Sequence, residues 1–339
     1  MFVKFFACIA IIALALCAPA LAQQGADCSR AKTDAEKAIC GHPALAAADA
    51  AMARAYTKLR LALPAAQRAP LLADQRDWIE IRAGNCDAPP TGDLAACLMS
   101  ETRRRREFLL SQLPGSGAPR MQLYHFHTVH DGNTSDAAFP QIIAPRDSAQ
   151  RAFNKMARDV ALGEGTPFEY SGEKPPDTRA GDDKSYDASY EITWLDRRLA
   201  AVEYTIYTYD GGAHPNWSRR SLLFDLLHGE PLFNGDMVGG PPHHSAEGFA
   251  TIASMCARQL LARKDLAFYA VQMGKPLDVS DVVSDPTRWV VDGDGVDIMF
   301  DPDTIAAPAV GEVACRLQYA ELRPWLRPHG PLPPHGAGG

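Results

Sequence analysis

The sequence predicts an α + (α+β) fold, in which a small disulfide-bonded helical bundle precedes an α+β domain with a mainly antiparallel sheet and packed helices. The chain of 339 residues is 46% hydrophobic and 22% charged, which is the composition of a folded protein. Residues 23–113 are rich in Ala, Leu and Arg with helical periodicity, whereas aromatic and β-branched runs follow. A Pro/Gly-rich segment at 114–120 separates the two parts as a linker.

Caps and apolar stripes mark four helices in the first part. Thr33 and Glu36 have the spacing of a capping box at the start of a short helix. A second helix follows the stripe at 45–63, and a third is expected after Pro70. The fourth is expected at 93–112, so that the four helices form an antiparallel bundle.

Three polar or aromatic side chains stand out in this bundle. Asp49 lies on the apolar stripe, which favours a buried ion pair with Arg76 or Arg82 over a binding role. Arg82 follows Trp78 by one helical turn, so the two side chains can stack. Trp78 and Arg82 are the candidate partner-binding residues of the bundle.

The second part, residues 121–327, alternates strand and helix patterns. Its strands are expected to form one sheet, with a hairpin turn rather than a calcium loop at Asp292-Gly293-Asp294-Gly295. The strands are expected at Met121–Val129, 188–194, 199–209, Ser218–Leu227, Trp289–Val291, Val296–Phe300 and Val313–Tyr319, and the helices at Ser148–Leu162 and Ala246–Lys264.

Both termini are expected to lie outside the folded part. Lys4, an apolar run at 5–17 and small residues before position 23 predict a signal peptide at 1–22 and export to the periplasm or the extracellular space. Lipid attachment at Cys17 is disfavoured, because Leu16 stands where a small residue is required. Residues 328–339 are predicted to be a disordered Pro/Gly tail.

Six cysteines remain after removal of the signal peptide, which predicts three disulfides in an exported chain. Cys256 on a helix and Cys315 on the last strand are expected to join helix and sheet. The other four gather at one end of the bundle; three pairings stay open among them, and the local pairs are favoured. These four are Cys28, Cys40, Cys86 and Cys97.

Few motifs suggest chemistry. The loop at 210–216 is the most distinctive, and its turn geometry favours a structural role over direct binding. Its candidate partner-binding residues are Asp210, Gly211, Gly212, His214 and Asn216. His125 and His127 share one face of a strand and are weak candidates for a metal site, to which the pair at 243–244 would add a ligand.

No catalytic residue or cofactor site is identified, because the chain has no GxSxG, Walker or dinucleotide-binding motif. The formal net charge of −7 leaves no basic excess for nucleic acid. No stretch after the signal peptide is apolar enough to span a membrane. The charge is uneven, at +2 over residues 23–113 and −10 over 114–339.

The first part resembles the lysozyme-inhibitor LprI N-terminal-like family. The matching pattern combines cysteine positions with Glu-x-x-Ile-Cys at 36–40, Gln-x-x-Trp-x-x-x-Arg-x-x-x-Cys at 75–86 and an arginine-rich last helix. The resemblance covers about 85 residues and implies lysozyme inhibition, which some members of the family perform.

The second part resembles the C-terminal domain of the RsiV anti-sigma factor and its relatives. The matching segments are Tyr-Asp-Gly-Gly-Ala-His-Pro-Asn at 209–216, the Phe-Asp-Leu and His-Gly-Glu-Pro runs at 224–231, and the segment from 295 to 326. That domain implies lysozyme sensing. The chain lacks the membrane helix and sigma-binding segment of RsiV, so an anti-sigma role is disfavoured.

The two resemblances together predict an exported, non-enzymatic protein that binds and inhibits lysozyme or a related muramidase. The acidic second part would attract a cationic lysozyme, although acidity also serves solubility. One alternative is an accessory module that binds peptidoglycan. A second is a metal-dependent envelope hydrolase that uses the histidine cluster.

Overall fold

The structure is a computed structural model. It describes residues 25–86, 93–130, 133–163, 184–209, 216–239, 244–264, 266, 277–301, 304–305 and 313–333. The predicted signal peptide and Cys17 lie outside these residues, as do the segment 210–215 and His243. Within the described ranges, no helix is both long enough and apolar enough to cross a membrane.

Four helices form the N-terminal part: α1 (Asp34–Gly41), α2 (Pro43–Ala62), α3 (Ala65–Asn85) and α4 (Leu94–Ser111). The predicted capping box is confirmed, because the Thr33 hydroxyl accepts from Glu36 N and the Glu36 carboxylate accepts from Thr33 N. The prediction that α3 begins after Pro70 is wrong. Burial of Leu71 and Trp78 along α3 outweighs the one backbone hydrogen bond lost at this proline.

Two disulfides lie in this helical part. Cys28 is bonded to Cys40 and Cys86 to Cys97, which are the local pairs. The core between them contains Ile39, Leu45 and Leu98, and a second apolar cluster around Leu59 and Leu109 fills the rest of the bundle.

The expected buried ion pair joins α2 to α3. Asp49 and Arg82 are both buried, with the Oδ1 and Nη1 atoms 3.1 Å apart. Asp49 also accepts from Ala26 N at 2.8 Å, and Arg82 donates to Thr102 Oγ1 at 3.0 Å. The pair is therefore satisfied on both sides, as a structural role requires.

A six-stranded sheet follows, in the order β1-β2-β3-β4-β5-β6. Its strands are β1 (Met121–His130), β2 (Asn133–Ile142), β3 (Ser185–Leu195), β4 (Leu199–Tyr209), β5 (Asn216–Asp225) and β6 (Glu230–Pro231). All neighbours are antiparallel except β2 and β3, which are parallel over four residue pairs. Sequence patterning missed β2, since its polar residues and Pro140 do not read as a strand.

The last three strands form a second, antiparallel sheet, so the prediction of one continuous sheet is wrong. They are β7 (Trp289–Val291), β8 (Gly295–Phe300) and β9 (Val313–Gln318). This small sheet shares an apolar core with the short helix α6 (Asn234–Met237), with the helix α7 (Ser245–Leu261) and with residues of β4 and β5. The Cys256–Cys315 disulfide joins α7 to β9.

The two faces of the six-stranded sheet differ in character. The helix α5 (Ser148–Ala161) covers one face with an apolar core, where the Tyr186 and Tyr204 hydroxyls donate to carbonyl oxygens of α5. The opposite face is polar and carries α4. This polar face is the part of the fold that positions the candidate site.

Part of the predicted disordered tail is packed. Arg198 Nη1 donates to the carbonyl oxygens of His329 at 3.0 Å and Gly330 at 3.1 Å. Pro331 and Pro333 are buried. These contacts hold 328–333 against the sheet, and 334–339 lie outside the described residues.

Candidate functional site

On the polar face of the six-stranded sheet, carboxylate side chains lie opposite one another on neighbouring strands. Asp136 of β2 is opposite Asp187 of β3, and Glu191 of β3 is opposite Glu203 of β4. Side chains two residues apart on a strand share a face, so Asp187 and Glu191 lie on the same side. The helix α4 crosses this face and separates a buried cluster of charges from an open groove.

The buried cluster, here called the charged seam, joins α4 to both sheets. Its members are Glu101 and Arg104 of α4, Glu191 of β3, Glu203 of β4, Arg219 of β5, and Asp292, Asp297 and Arg316 of the small sheet. Arg104 is 4% exposed and contacts four carboxylates. Its Nε donates to Asp292 at 3.2 Å, and its Nη2 donates to Asp297.

The seam keeps Arg104, Arg316 and Asp292 ionised. Burial acts to lower the pKa of Arg104, but Asp292, Asp297 and the nearby glutamates hold that pKa well above its ordinary value. Burial acts to raise the pKa of Asp292, and the Arg104 and Arg316 guanidinium groups outweigh it and lower that pKa. The helical part is therefore attached to the sheets through paired buried charges.

The predicted hairpin turn between β7 and β8 is confirmed. Val291 pairs with Val296, and Asp292 Oδ1 accepts from the backbone N–H groups of Asp294 and Gly295. The second Asp292 oxygen accepts from Arg104 and Arg316. Both carboxylate oxygens are thus used within the protein, which leaves no calcium loop here.

A cavity of about 280 Å³ lies beside the seam, between α4 and the small sheet, and Glu107 lines it. Burial, followed by the Asp292 and Asp294 carboxylates, raises the pKa of Glu107 to about 7. Above that pH the folded protein must hold a third negative charge close to two others.

We expect Glu107→Gln to stabilise the protein at alkaline pH and to leave it nearly unchanged near pH 4. The folded pKa of about 7 lies above the unfolded value of 4.5, so wild-type stability falls as pH rises between them. The expected gain at about pH 8 is about 1–2 kcal/mol, after discounting for solvent screening. Urea unfolding across this range checks it, and a gain that is equal at both pH values contradicts it.

The open groove lies on the other side of α4, where β2 and β3 diverge. Their ladder ends at Ala137 and Ala188, and α3 and α4 line the space beyond. The volume is about 290 Å³. This acidic groove is lined by Asp74, Asp77, Asp136, Asp187 and Glu191, together with Trp78, Arg105, Phe108, His125 and Tyr190.

The groove holds more carboxylates than cations. Asp74 is paired with Arg105. Asp136 faces His125 and His127, whose Nδ1 atoms are 3.6 Å and 3.2 Å from its carboxylate oxygens. Burial, followed by the Asp136 carboxylate, raises the pKa of Asp187.

Two carboxylates of the groove are open to solvent. Within the part of the chain that the structure describes, Asp77 and Asp187 form no salt bridge. The groove can therefore accept a cationic side chain from outside, with aromatic rings nearby.

Trp78 and Arg82 are largely buried. They are 4% and 7% exposed, and the Arg82 guanidinium carbon lies 4.6 Å from the Trp78 ring centre, so the expected stacking is present. Trp78 lines the acidic groove, and its Nε1 donates to Glu191 Oε1 at 3.3 Å. Arg82 lies inside the helical part, against Asp49 and Thr102. Partner contact by either side chain stays a prediction.

The other predicted site residues are dispersed. His125 and His127 are exposed on β1 and face a single carboxylate, and no group of three or more His, Cys, Asp or Glu among the described residues suits a metal ion. Asn216 is exposed at the start of β5, and the rest of its loop lies outside the described residues. Sequence patterning missed the acidic groove, because its residues come from α3, β2 and β3.

The comparisons with known proteins concern both parts of the chain. A family model described as lysozyme inhibitor LprI matches residues 26–109. No curated protein matches the chain. The RsiV-type resemblance stays a prediction.

Two crystal structures of DUF3298 family proteins are similar to this chain. The protein from Bacteroides fragilis has 16% identity and a TM-score of 0.47, covering 63% of this chain and 95% of its own. The protein from Pseudomonas aeruginosa has 13% identity and a TM-score of 0.45, covering 62% of this chain and 95% of its own.

Proposed function

We propose that this protein is an exported, non-enzymatic protein that binds and inhibits lysozyme or a related muramidase in the cell envelope. The observation that carries this proposal is the match of the lysozyme inhibitor model to residues 26–109, which span α1 to α3 and most of α4. The three disulfides are consistent with it, since such bonds persist in oxidising compartments outside the cytoplasm.

We place the contact surface at the acidic groove. Many lysozymes are strongly cationic, and a groove with unpaired carboxylates complements a lysine or arginine side chain. The groove is built jointly by α3 of the matched segment and by β1 to β3. A partner bound in this groove would contact both parts of the chain. Neither part alone would therefore present the whole contact surface.

Neutralising the groove is expected to weaken lysozyme binding. The double variant Asp77→Asn with Asp187→Asn removes the two solvent-exposed carboxylates of the groove that form no salt bridge with any described residue, and we expect the Kd to rise about 10- to 100-fold. The double variant Asp278→Asn with Asp281→Asn is the matched control, because it also removes two charges from exposed aspartates but lies outside the groove. Calorimetric titration of the full protein with a c-type lysozyme, at low salt and at about 0.15 M salt, measures the difference.

The outcomes separate recognition from general attraction. Saturable one-to-one binding that persists at moderate salt and falls only in the double variant supports the proposal. An equal loss in the groove double variant and in the Asp278→Asn with Asp281→Asn control means attraction by net charge alone and contradicts the proposal. Absence of lysozyme binding, together with retention on insoluble peptidoglycan, would favour the cell-wall accessory module instead.

A further inference from the structure

The charged seam contains carboxylate oxygens that have no donor. Glu101 and Glu203 are 3% exposed and Glu191 is 8% exposed. One buried oxygen of each, Oε2, accepts no hydrogen bond in the structure. Glu203 Oε2 still faces the Arg104 guanidinium at 3.7 Å, whereas the Oε2 atoms of Glu101 and Glu191 form no ion pair with any described residue. An ionised carboxylate buried in this way costs several kcal/mol, so the pair requires a compensating group.

Two of these carboxyl groups meet across the interface between helix and sheet. Glu101 of α4 and Glu191 of β3 are within hydrogen-bond reach of each other. Neither carboxylate can donate when ionised, so a hydrogen bond between them requires one shared proton. The arrangement follows the rule that two adjacent buried carboxyl groups do not both ionise.

The charge balance of the seam also indicates that not all of its carboxyl groups are ionised. Five carboxylates, from Glu101, Glu191, Glu203, Asp292 and Asp297, share three guanidinium groups, from Arg104, Arg219 and Arg316. Full ionisation would leave an excess of two negative charges in the interior. A metal ion is not the compensating group, since no side-chain cluster among the described residues suits one.

We propose that Glu101 and Glu191 share one proton, and that docking of the helical part onto the sheet takes up that proton. Burial, followed by the charge of Glu101 and the hydrogen bond with it, raises the pKa of Glu191 well above its ordinary value. The structure thus couples the interface between the two parts to pH.

The other charged side chains around the pair have partners of their own. The shared proton is therefore assigned to Glu101 and Glu191. Arg104 of α4 faces the pair but also contacts the two aspartates of the small sheet, at 292 and 297. Glu203 of β4 is paired with Arg219 of β5 at 2.7 Å. Arg316 of β9 donates to those same two aspartates.

Ionisable side chains also lie on the side of the pair that faces the groove. Asp74 of α3 is held by Arg105 of α4, and Asp77 of α3 is open to water. The second oxygen of Glu191 accepts from Trp78 Nε1, and both of these residues line the acidic groove. The shared proton therefore lies next to the groove, and its presence makes the groove less negative.

The test uses Glu191→Gln, whose amide can donate to Glu101 without a proton from solvent. The folded wild type keeps the Glu191 carboxyl protonated above the unfolded pKa of 4.5, so its stability falls as pH rises above that value. The ratio of the unfolding constants of wild type and Glu191→Gln should rise with pH above about 5, by up to about tenfold per pH unit. Glu80→Gln, on the exposed surface of α3, is the matched control and should show a constant ratio.

An infrared measurement reads the proton directly. Glu107→Gln serves as the background, so that the raised pKa of Glu107 does not contribute to the spectrum. At about pH 6 this variant should show the carbonyl band of a protonated carboxyl group, and the addition of Glu191→Gln should remove it. A constant stability ratio in Glu191→Gln, or no such band in Glu107→Gln, overturns the proposal. If the variants with Glu191→Gln do not fold, the band in Glu107→Gln decides between the two results.

Discussion

Replacing Arg104 with alanine is expected to lower the free energy of unfolding by about 3–5 kcal/mol. The guanidinium is 4% exposed and faces four carboxylates, from Glu101, Glu203, Asp292 and Asp297. Its removal leaves buried negative charges with too few cations. Methionine at this position would restore volume but not charge, so we expect it to recover little of the loss.

Arg103→Ala is the matched control for this prediction. Arg103 is the preceding residue of α4 and forms an ion pair with Asp294 at 2.9 Å, but both side chains are half exposed. A solvent-screened pair of this kind contributes less than about 1 kcal/mol. Urea unfolding of both variants at neutral pH compares them, and a similar small loss in each would show that the seam does not attach the helices to the sheets.

The second large effect concerns the bond between α7 and β9. Replacing Cys256 and Cys315 together with alanine is expected to cost about 4 kcal/mol, because the disulfide closes a loop with a sequence separation of 59 in the unfolded chain. Both sulfur atoms are fully buried in the core of the small sheet, so cavity formation adds to this loss.

Replacing Cys28 and Cys40 is the comparison for this effect. Their loop spans a sequence separation of only 12, and Cys28 is exposed at the end of the bundle. We expect a loss of about 3 kcal/mol or less, and thermal unfolding of the two double variants ranks them. A larger loss at the Cys28–Cys40 site would contradict the loop-length explanation.

Elements with strong local patterns were predictable from the sequence. The capping box at Thr33 and the Asp-Gly turn after β7 both stand where their residues indicate. The mainly antiparallel sheet with packed helices also follows from periodicity. The buried ion pair of Asp49 was predictable as well, although the sequence left Arg76 and Arg82 open as its partner.

Features that depend on long-range packing were not predictable. The separation of β7 to β9 into a second sheet is decided by which strands pair, and local periodicity does not encode it. The charged seam was not predictable for another reason. Charged residues such as Arg104 and Glu203 are expected on the surface from sequence alone, whereas here they are buried in pairs. The contact of Trp78 with β3 is not predictable either, because nothing in its own helix shows that a strand packs against it.

Hydrogen exchange on the full protein, with and without saturating c-type lysozyme, tests the proposed contact surface most directly. We expect slower exchange in α3 around Asp77 and in β2 and β3 around Asp136 and Asp187, with little change in α7 or the small sheet. Saturating binding that leaves these three segments unprotected, or that protects only the start of β5, would contradict lysozyme recognition through the acidic groove.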